Sequence, residues 1–300
     1  MVARLLDTAL DRTLLLGYSR PGIALRRRLP GWPDDIDVAG RVVAVTGATA
    51  GIGEAAAEEL ARLGAEVVVV GRSPDKVAAV AARVRGRGEV CDLSSLADVR
   101  SLAARWVGRL DVLVHNAGVM PPARQLTSEG VELAFATNVL GPWLLTRELS
   151  PYLENGGRVV NVSSGGMYGQ RLDEDLLNED YDPVASYART KRAEVVLTEM
   201  WADRLEDKGI VVHAMHPGWA LTPGIETSLP RFRALMGPVL RSPSEGADTI
   251  VYLAGGREPG ESTGLFWHDR RPRPTHLLGL NRETPEARQR LWDLCEELSR

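Results

Sequence analysis

The chain has 300 residues, a formal net charge of −4 and a hydrophobic content of 44%. That content is ample for a large core, whereas the weakly acidic balance gives no general attraction to nucleic acid. Cys91 and Cys295 have no metal-type spacing, so a disulfide framework and a metal site are disfavoured and a reducing cytoplasm is expected. No apolar run approaches the roughly 20 residues needed to span a bilayer.

The N-terminal segment carries the pattern of an amphipathic helix that ends near Pro21. Asp7 and Asp11 interrupt its apolar residues, which argues against a secretory signal. A basic cluster follows at Arg26–Arg28. We expect the helix to dock on its own domain or on a second subunit, and a peripheral membrane contact through residues 1–28 is the alternative. The apolar face comprises Val2, Leu5, Leu6, Ala9, Leu10 and Leu14.

Short apolar runs alternate with helical stretches along the rest of the chain. The first run, RVVAVT at Arg41–Thr46, predicts a buried strand, and a helix from Gly51 to about Leu63 follows. A second strand is predicted at Ala65–Val70, and a capped terminal helix at Thr284–Ser299. Further strands are predicted at Glu89–Cys91, Leu110–His115, Gly157–Val162, Ile210–Met215 and Thr263–Trp267.

This alternation predicts an α/β fold, a doubly wound parallel sheet of the Rossmann type with helices on both faces. We expect a single such domain at residues 38–270. An N-terminal helix and connector would precede it at residues 1–37. Residues 271–300 would form a C-terminal extension that contains the terminal helix.

The sequence TGATAGIG lies between the first strand and the first helix, at Thr46–Gly53. Its glycines allow a tight turn and a close approach to a diphosphate, and the helix N-terminus supplies N–H donors to the anion. Ligands of parallel sheets bind at the carboxyl ends of the strands, so this junction predicts a dinucleotide site. The residues expected to contact the dinucleotide are Gly47, Thr49, Ala50, Gly51, Ile52 and Gly53.

Arg72 follows the second strand, where NAD-binding sheets commonly carry an acidic residue on the ribose. A guanidinium at this position favours a 2′-phosphate, so NADP is the expected cofactor and NAD the alternative. A charge-assisted contact of roughly 1.5–3 kcal/mol corresponds to about a 10- to 150-fold preference. The other reading of Arg72 is a surface arginine without a ligand.

Tyr187 and Lys191 are four residues apart in SYARTKRAEVV, a stretch with helical character. On a helix this spacing places both side chains on one face. A cation beside a phenol favours the phenolate, so the tyrosine pKa of about 10 is expected to fall toward the range of a general acid or base. The alternative is an exposed helix pair without chemistry.

With the glycine loop, the NAG at Asn116–Gly118 and this pair in order, the chain resembles the short-chain dehydrogenase/reductase family over about Val38 to His268. The stretches VSSGGM, MHPGWALTPG and GADT are similar to the branch called dehydrogenase/reductase member twelve, which is itself similar to the retinol-dehydrogenase-like members. The resemblance implies that Tyr187 is the acid/base and that Lys191 lowers its pKa and holds the nicotinamide ribose.

The same resemblance assigns Ser164 to the substrate oxygen and Asn138 to a water beside the lysine. Ser164 and Tyr187 are farther apart than in many family members, and the excess is an acidic segment, Leu172–Asp182, expected to be a solvated loop. His115 stands where the family often has asparagine and is expected to be a packed histidine. Further cofactor contacts are implied for Asp92, Leu93, Asn116, Ala117, Gly118, Pro217, Gly218 and Thr222.

The expected activity is the interconversion of a hydrophobic ketone or aldehyde and its alcohol by hydride transfer with NADP(H). The main alternative is a catalytically silent NADP-binding sensor or scaffold. An epimerase or dehydratase is disfavoured by the spacing of the glycine loop. The resemblance also implies a homo-oligomer. Candidates for the substrate side are Met120, Trp143, Met167, Tyr168, Trp219 and Phe232, of which Trp143 also fits an ordinary core position.

Overall fold

The computed structural model describes residues 2–172, 181–221, 230–277 and 282–300. In these residues an eight-stranded sheet has the order β3-β2-β1-β4-β5-β6-β7-β8, parallel throughout except for the antiparallel pair β7–β8. The predicted doubly wound fold is confirmed, with one antiparallel edge strand added. The strands are β1 Val42–Thr46, β2 Glu66–Gly71, β3 Arg87–Val90, β4 Leu110–His115, β5 Leu153–Val162, β6 Val211–Met215, β7 Phe266–His268 and β8 Arg271–Arg273.

Helices cover both faces of the sheet. Across the described ranges the α-helices are α1 Val2–Arg12, α2 Leu14–Gly17, α3 Arg20–Arg26, α4 Gly51–Arg62, α5 Pro74–Val84, α6 Leu96–Ala104, α7 Leu133–Phe135, α8 Gly141–Leu149, α9 Pro183–Leu205, α10 Pro230–Met236, α11 Pro243–Gly255, α12 Arg257–Gly260 and α13 Pro285–Leu298. A π-helical turn, Ala136–Leu140, joins α7 to α8. None of these helices is long and apolar enough to cross a bilayer.

The alternation of side chains along the strands divides the core into two layers. Val43 and Val45 of β1 pack in one layer with residues of α4, α5 and α11, whereas Ala44 packs in the other with residues of α6, α8 and α9. Burying a valine or leucine side chain contributes about 1.5–3 kcal/mol. Both faces of the central strands are therefore apolar, as their continuous hydrophobic runs predict.

The hairpin between β7 and β8 closes the far edge of the sheet. Its two turn residues, Asp269 and Arg270, have positive φ angles of 50° and 56°, the conformation of a tight two-residue hairpin. The sequence analysis places the last strand at Thr263–Trp267, but it begins later because Gly264 turns the chain with φ of +71°. β8 was not predicted, since Arg-Pro-Arg lacks the apolar alternation of a strand.

The N-terminal segment docks on its own domain, which is one of the two arrangements expected. It forms three short helices, and Pro21 lies in the first turn of α3, so the predicted helix end near Pro21 was wrong. Proline is well suited to this position because its missing N–H needs no partner there. Gly17 permits the tight turn before α3, because a side-chain carbon there would come within 2.5 Å of the Leu10 carbonyl oxygen.

A buried ionic cluster fixes this segment to the β7–β8 hairpin. Arg26 donates to Asp7 Oδ1 at 2.9 Å and also to Asp269. Arg241 donates to Asp269 Oδ1 at 2.6 Å, and Arg273 donates to Asp7 Oδ2 at 2.8 Å. Arg26 is only 2% exposed. Arg26, the first residue of the basic cluster, is therefore buried in the protein and is not available for the alternative of a membrane contact.

Candidate active site

The glycine-rich loop joins β1 to α4 at the carboxyl edge of the sheet. Gly47 and Gly51 have φ angles of +64° and +60°, which favour glycine. A side-chain carbon on Gly47 would come within 2.8 Å of Ala117 Cα, and one on Gly53 within 2.5 Å of the Gly47 carbonyl oxygen. Ala50, which precedes α4, supplies no side-chain cap. The loop thus presents backbone N–H groups of a helix N-terminus, a cradle that suits a diphosphate.

Asn116 fastens this loop to the end of β4. Its Nδ2 donates to the Thr46 carbonyl oxygen at 2.9 Å, and its backbone N–H donates to Thr46 Oγ1 at 3.0 Å. The backbone N–H of Ala117 reaches the same hydroxyl at 3.2 Å, and that hydroxyl donates to the Val114 carbonyl oxygen at 3.2 Å. These predicted cofactor residues therefore also fix the shape of the loop.

Asn138 lies in the middle of the π-helical turn and is fully buried. Its Oδ1 accepts from the Val119 N–H at 2.8 Å, and its Nδ2 donates to the Val119 carbonyl oxygen at 3.0 Å and to Thr190 Oγ1 at 2.9 Å. Single π turns occur frequently at functional sites. Asn138 thus joins the segment after β4 to α9.

The long helix α9 carries the Tyr187–Lys191 pair toward the end of β5. Lys191 Nζ lies 5.5 Å from the centroid of the Tyr187 ring and donates to the Val162 carbonyl oxygen at 2.9 Å. Ser164, just beyond β5, lies beside Tyr187 and lowers the pKa of its phenol. Its Oγ also accepts from the Gly166 N–H at 3.2 Å. The three side chains expected to act together are therefore neighbours, and Lys191 among them lies close to Gly118 and Asn138.

The pKa of Tyr187 is raised, whereas the sequence analysis expects it to fall. Burial of the phenol raises the pKa most, Lys191 and the Ser164 hydrogen bond lower it, and Glu194 raises it further. The effect attributed to Lys191 has the expected sign. The expected net direction was wrong, because desolvation of the phenol outweighs the attraction of the ammonium.

Glu194 is a member of this group that the sequence analysis missed. Lys191 Nζ donates to Glu194 Oε1 at 2.7 Å, and the two side chains are 3% and 8% exposed. Burial raises the pKa of Glu194 to about 7, against the attraction of Lys191. Burial would lower the pKa of Lys191, but Glu194 and Tyr187 raise it, and the net direction is upward. The available signal was the i, i+3 spacing on one helix.

The residues expected to contact the adenosine side lie at the ends of β2 and β3. Arg72 is exposed, and no ion pair or hydrogen bond occupies its guanidinium within the described residues. Asp92 instead stabilises the turn that follows β3. Its Oδ1 accepts from the Ser94 N–H at 2.9 Å and from the Ser94 hydroxyl at 2.7 Å. Leu93 is buried, and its carbonyl oxygen packs against Gly141, where a side chain would not fit.

The loop after β6 approaches the same edge of the sheet. Gly218 has φ of +72°, and a side chain there would meet the carbonyl oxygen of Tyr18 and the Arg241 guanidinium. Pro217 contributes its carbonyl oxygen, which accepts from Arg241 Nη1 at 3.2 Å. Thr222 lies outside the described residues, so its expected contact stays a prediction.

Tyr18 of the N-terminal segment reaches into this region, which the sequence analysis did not anticipate. Its ring centroid lies 4.5 Å from that of His216 and 5.9 Å from that of Trp219. Its ring also packs on Gly165, next to Ser164, so closely that a side-chain carbon on Gly165 would collide with it. The N-terminal segment therefore forms a wall beside the serine.

Some candidates for the substrate side are buried in the protein, and others are partly exposed. Trp143 is core, because its ring lies 5.9 Å from Trp201 and 5.3 Å from Trp292 between centroids. Met167 is fully buried, and the Tyr168 hydroxyl donates to the Pro274 carbonyl oxygen at 2.8 Å. Met120 is partly exposed, as is Trp219. The side chain of Phe232 lies outside the described residues, as do residues 173–180 of the acidic segment.

Other expectations can be compared directly with the described parts of the chain. Both cysteines are free and buried, and no group of metal-ligating side chains is found there. His115 is a packed histidine as expected, with its Nε2 2.8 Å from Thr146 Oγ1. Asp182, at the end of the acidic segment, caps α9 by accepting from the Ala185 N–H at 2.7 Å.

The fold and this set of groups define a dinucleotide-binding oxidoreductase. The chain belongs to the short-chain dehydrogenase/reductase family, since the family model described as short chain dehydrogenase matches residues 41–230. It is therefore an NAD(P)-dependent enzyme that acts on CH–OH or C=O groups.

Individual relatives agree with this assignment. Dehydrogenase/reductase SDR family member 12 of Bos taurus is 40% identical over 286 residues, covering 89% of this chain and 90% of the relative. Retinol dehydrogenase 13 of Homo sapiens is 33% identical over 287 residues, covering 87% and 85%. A crystal structure of an uncharacterized protein from Mycobacterium paratuberculosis has a TM-score of 0.72 and 31% identity, covering 89% of this chain and 96% of that one.

Proposed function

We propose that the enzyme interconverts a hydrophobic ketone or aldehyde and its alcohol with NADP(H), and that Tyr187 is its acid/base. The observation that carries this proposal is that Ser164 and Lys191 both lie beside Tyr187. Lys191 also lies beside Gly118, whose neighbour Ala117 packs against Gly47 of the glycine loop. An NADP-binding sensor without turnover has no use for a phenol held between a hydroxyl and an ammonium.

Each residue is assigned one role in this proposal. NADP, when bound, exchanges a hydride with the carbonyl carbon of the substrate. Tyr187 gives a proton to the substrate oxygen in reduction and takes it back in oxidation. Ser164 donates a hydrogen bond to the same oxygen and stabilises the charge that develops there. Lys191 favours the ionised phenol, and Asn138 holds a water beside the lysine.

The preference for NADP rests on Arg72. Its guanidinium is exposed at the end of β2 and is not engaged by the described residues, so a 2′-phosphate would meet an uncompensated cation. The cradle for the diphosphate is Gly47–Gly53, and Thr222 is assigned to the nicotinamide end with Pro217 and Gly218.

A hydrophobic substrate is favoured by the wall that Tyr18 and Trp219 form beside Ser164. The name of one relative, retinol dehydrogenase 13, points to the same chemical class. We further propose a cytoplasmic homo-oligomer with the three-part division at residues 37 and 270. A peripheral membrane contact through residues 1–28 is the alternative role for the N-terminal segment.

The test is a screen of NADPH oxidation against hydrophobic aldehydes and ketones, with Tyr187→Phe and Tyr152→Phe compared on each active substrate. Tyr152 packs against the core beneath the sheet, so its variant controls for loss of a hydroxyl elsewhere. We expect Tyr187→Phe to bind NADPH within a few-fold of the unmodified protein and to lose about 10²–10⁴ in turnover. Equal turnover in the two variants would remove Tyr187 from the mechanism, and NADPH binding without any turnover would favour the sensor.

A further inference from the structure

A small cavity lies between the π-helical turn, α8, β5 and α9. Its volume is about 20 Å³, and a cavity of about 10–15 Å³ on this measure already holds one water. Glu194 faces it from α9, one turn beyond Lys191. The other polar side chains along its wall are Asn138, Thr146, Asn161, Trp143 and Trp201.

Three polar atoms of these side chains are buried without a hydrogen-bond partner among the described residues. They are Glu194 Oε2, Trp143 Nε1 and Trp201 Nε1. An unpaired buried polar atom costs about 1–3 kcal/mol. A single water can accept from an indole N–H and donate to a carboxylate, so a water in this cavity would relieve part of that cost. Glu194 therefore has Lys191 on one oxygen and a water site at the other.

In the described part of the chain, the other ionisable groups near the cavity come from β4 and α8. His115 of β4 is hydrogen-bonded to Thr146 on the cavity wall, and burial lowers the pKa of His115 to about 3. Arg147 of α8 lies over the Trp143 ring, 5.0 Å from its centroid, and arginine keeps its charge throughout. Neither group changes charge near neutral pH. A titration near neutral pH must therefore come from Glu194 or from its partners on α9, Lys191 and Tyr187.

We propose that Glu194 is a positioning residue that sets the net charge beside Tyr187. In its protonated form it leaves the Lys191 cation uncompensated, and in its ionised form it neutralises that cation. Its proton is exchanged with the water of the adjoining cavity. The inference builds on the proposed role of Tyr187 as the acid/base.

This arrangement makes the acidity of Tyr187 depend on Glu194. The phenol ionises at a pH where Glu194 carries a negative charge, since burial raises the pKa of Glu194 only to about 7. That negative charge opposes formation of a second one on the phenolate. A glutamine keeps the size and one hydrogen-bonding oxygen but removes the charge. Glu194→Gln should therefore lower the pKa of Tyr187 by about one unit.

The experiment uses full-length protein labelled with ¹³C at Tyr Cζ and Glu Cδ and titrated by NMR. Tyr187→Phe and Glu194→Gln assign the two resonances. We expect one glutamate resonance to titrate between about pH 6 and 8 in the unmodified protein, and the Tyr187 titration to move down by about one unit in Glu194→Gln. Glu199→Gln, on the same helix and paired with Arg288 at the surface, is the matched control and should leave Tyr187 unchanged.

Two results overturn the inference. One is a glutamate spectrum in which every resonance titrates at an ordinary value, which needs no variant and so stands even where Glu194→Gln fails to fold. The other is a Tyr187 titration that is the same in Glu194→Gln and Glu199→Gln.

A kinetic measurement separates this inference from the proposed function. For an alcohol that the enzyme oxidises, the pH of half-maximal turnover should fall by about one unit in Glu194→Gln. A purely structural role of Glu194 would lower turnover at all pH values without moving this midpoint. Absence of turnover with every substrate would defeat the proposed function, while the NMR titrations would still decide the role of Glu194.

Discussion

Lys191 Nζ lies 5.5 Å from the centre of the Tyr187 ring, and the same ammonium donates to Glu194 at 2.7 Å. The cation that favours ionisation of the phenol is thus shared with a carboxyl group. Because the phenol is also buried, its pKa is raised overall. The Tyr187–Lys191 pair is therefore part of a triad of ionisable groups that includes Glu194, and its behaviour depends on which of the three holds a proton.

The first prediction concerns cofactor choice. Arg72→Ala should weaken NADPH binding by about 10- to 150-fold and leave NADH binding within a few-fold, because only NADPH carries the 2′-phosphate. Fluorescence titration with both nucleotides measures the ratio. Arg28→Ala, which removes an exposed arginine from the N-terminal segment, is the control. Equal weakening of both nucleotides by Arg72→Ala would reject the phosphate contact.

A second prediction tests the glycine cradle. Gly53→Ala places a carbon within 2.5 Å of the Gly47 carbonyl oxygen and against Asn116, so the loop must shift. We expect NADPH binding to weaken by at least tenfold, about 1.4 kcal/mol, as measured by calorimetry. Gly237→Ala is matched, since a carbon at Gly237 meets no atom of the described residues within 4 Å. A normal affinity in folded Gly53→Ala would mean that the loop tolerates the shift and does not shape the site.

The third prediction concerns the ionic cluster beneath the N-terminal segment. Asp269 is buried, and its pKa lies well below the usual range: burial would raise it, but His268 and Arg241 lower it more. Asp269→Asn removes the anion from buried guanidinium groups and should cost about 3–5 kcal/mol of the free energy of unfolding. Asp34→Asn breaks an ion pair whose aspartate is 91% exposed and should cost less than about 1 kcal/mol. Urea denaturation of both variants is the measurement, and similar losses would contradict the assignment.

A fourth prediction follows from the titration of Glu194 on folding. Burial raises its pKa from 4.5 to about 7, so the folded protein binds an extra proton between these values. The stability that this proton contributes is fully present below about pH 4.5 and is lost as the pH rises through about 7. The free energy of unfolding of the unmodified protein should thus fall between about pH 5 and 8 relative to that of Glu194→Gln. Parallel stability curves for the two proteins would show that Glu194 has no raised pKa.

The parts of the site that depend on local sequence were predictable. The order of strands and helices, the glycine loop and the Tyr187–Lys191 pair each follow from short-range patterns, and the sheet then brings their ends together. Glu194 was not predicted because its role depends on its burial, and the sequence of a helix does not show that a charged residue will be buried. The net direction of the Tyr187 pKa was misjudged for the same reason.

The N-terminal segment could be predicted only in outline. Its apolar spacing indicated a docked helix, but the partners that hold it, Arg26 and Asp269, are 243 residues apart. No local pattern links two such charges. The sequence around Tyr18 likewise did not indicate that its ring would lie against Gly165. Thr222, the side chain of Phe232 and residues 173–180 fall outside the described residues, and the predictions made for them stand as predictions.

The tie between Arg26 and Asp269 also bears on biosynthesis. Arg26 is synthesised long before Asp269, so the N-terminal segment cannot dock until the β7–β8 hairpin has been made. During that interval Tyr18 and its neighbouring helices must wait unattached while the nucleotide-binding sheet assembles behind them. The wall that Tyr18 forms beside Ser164 therefore depends on the synthesis of a distant hairpin, and a chain that stops before Asp269 should lack it.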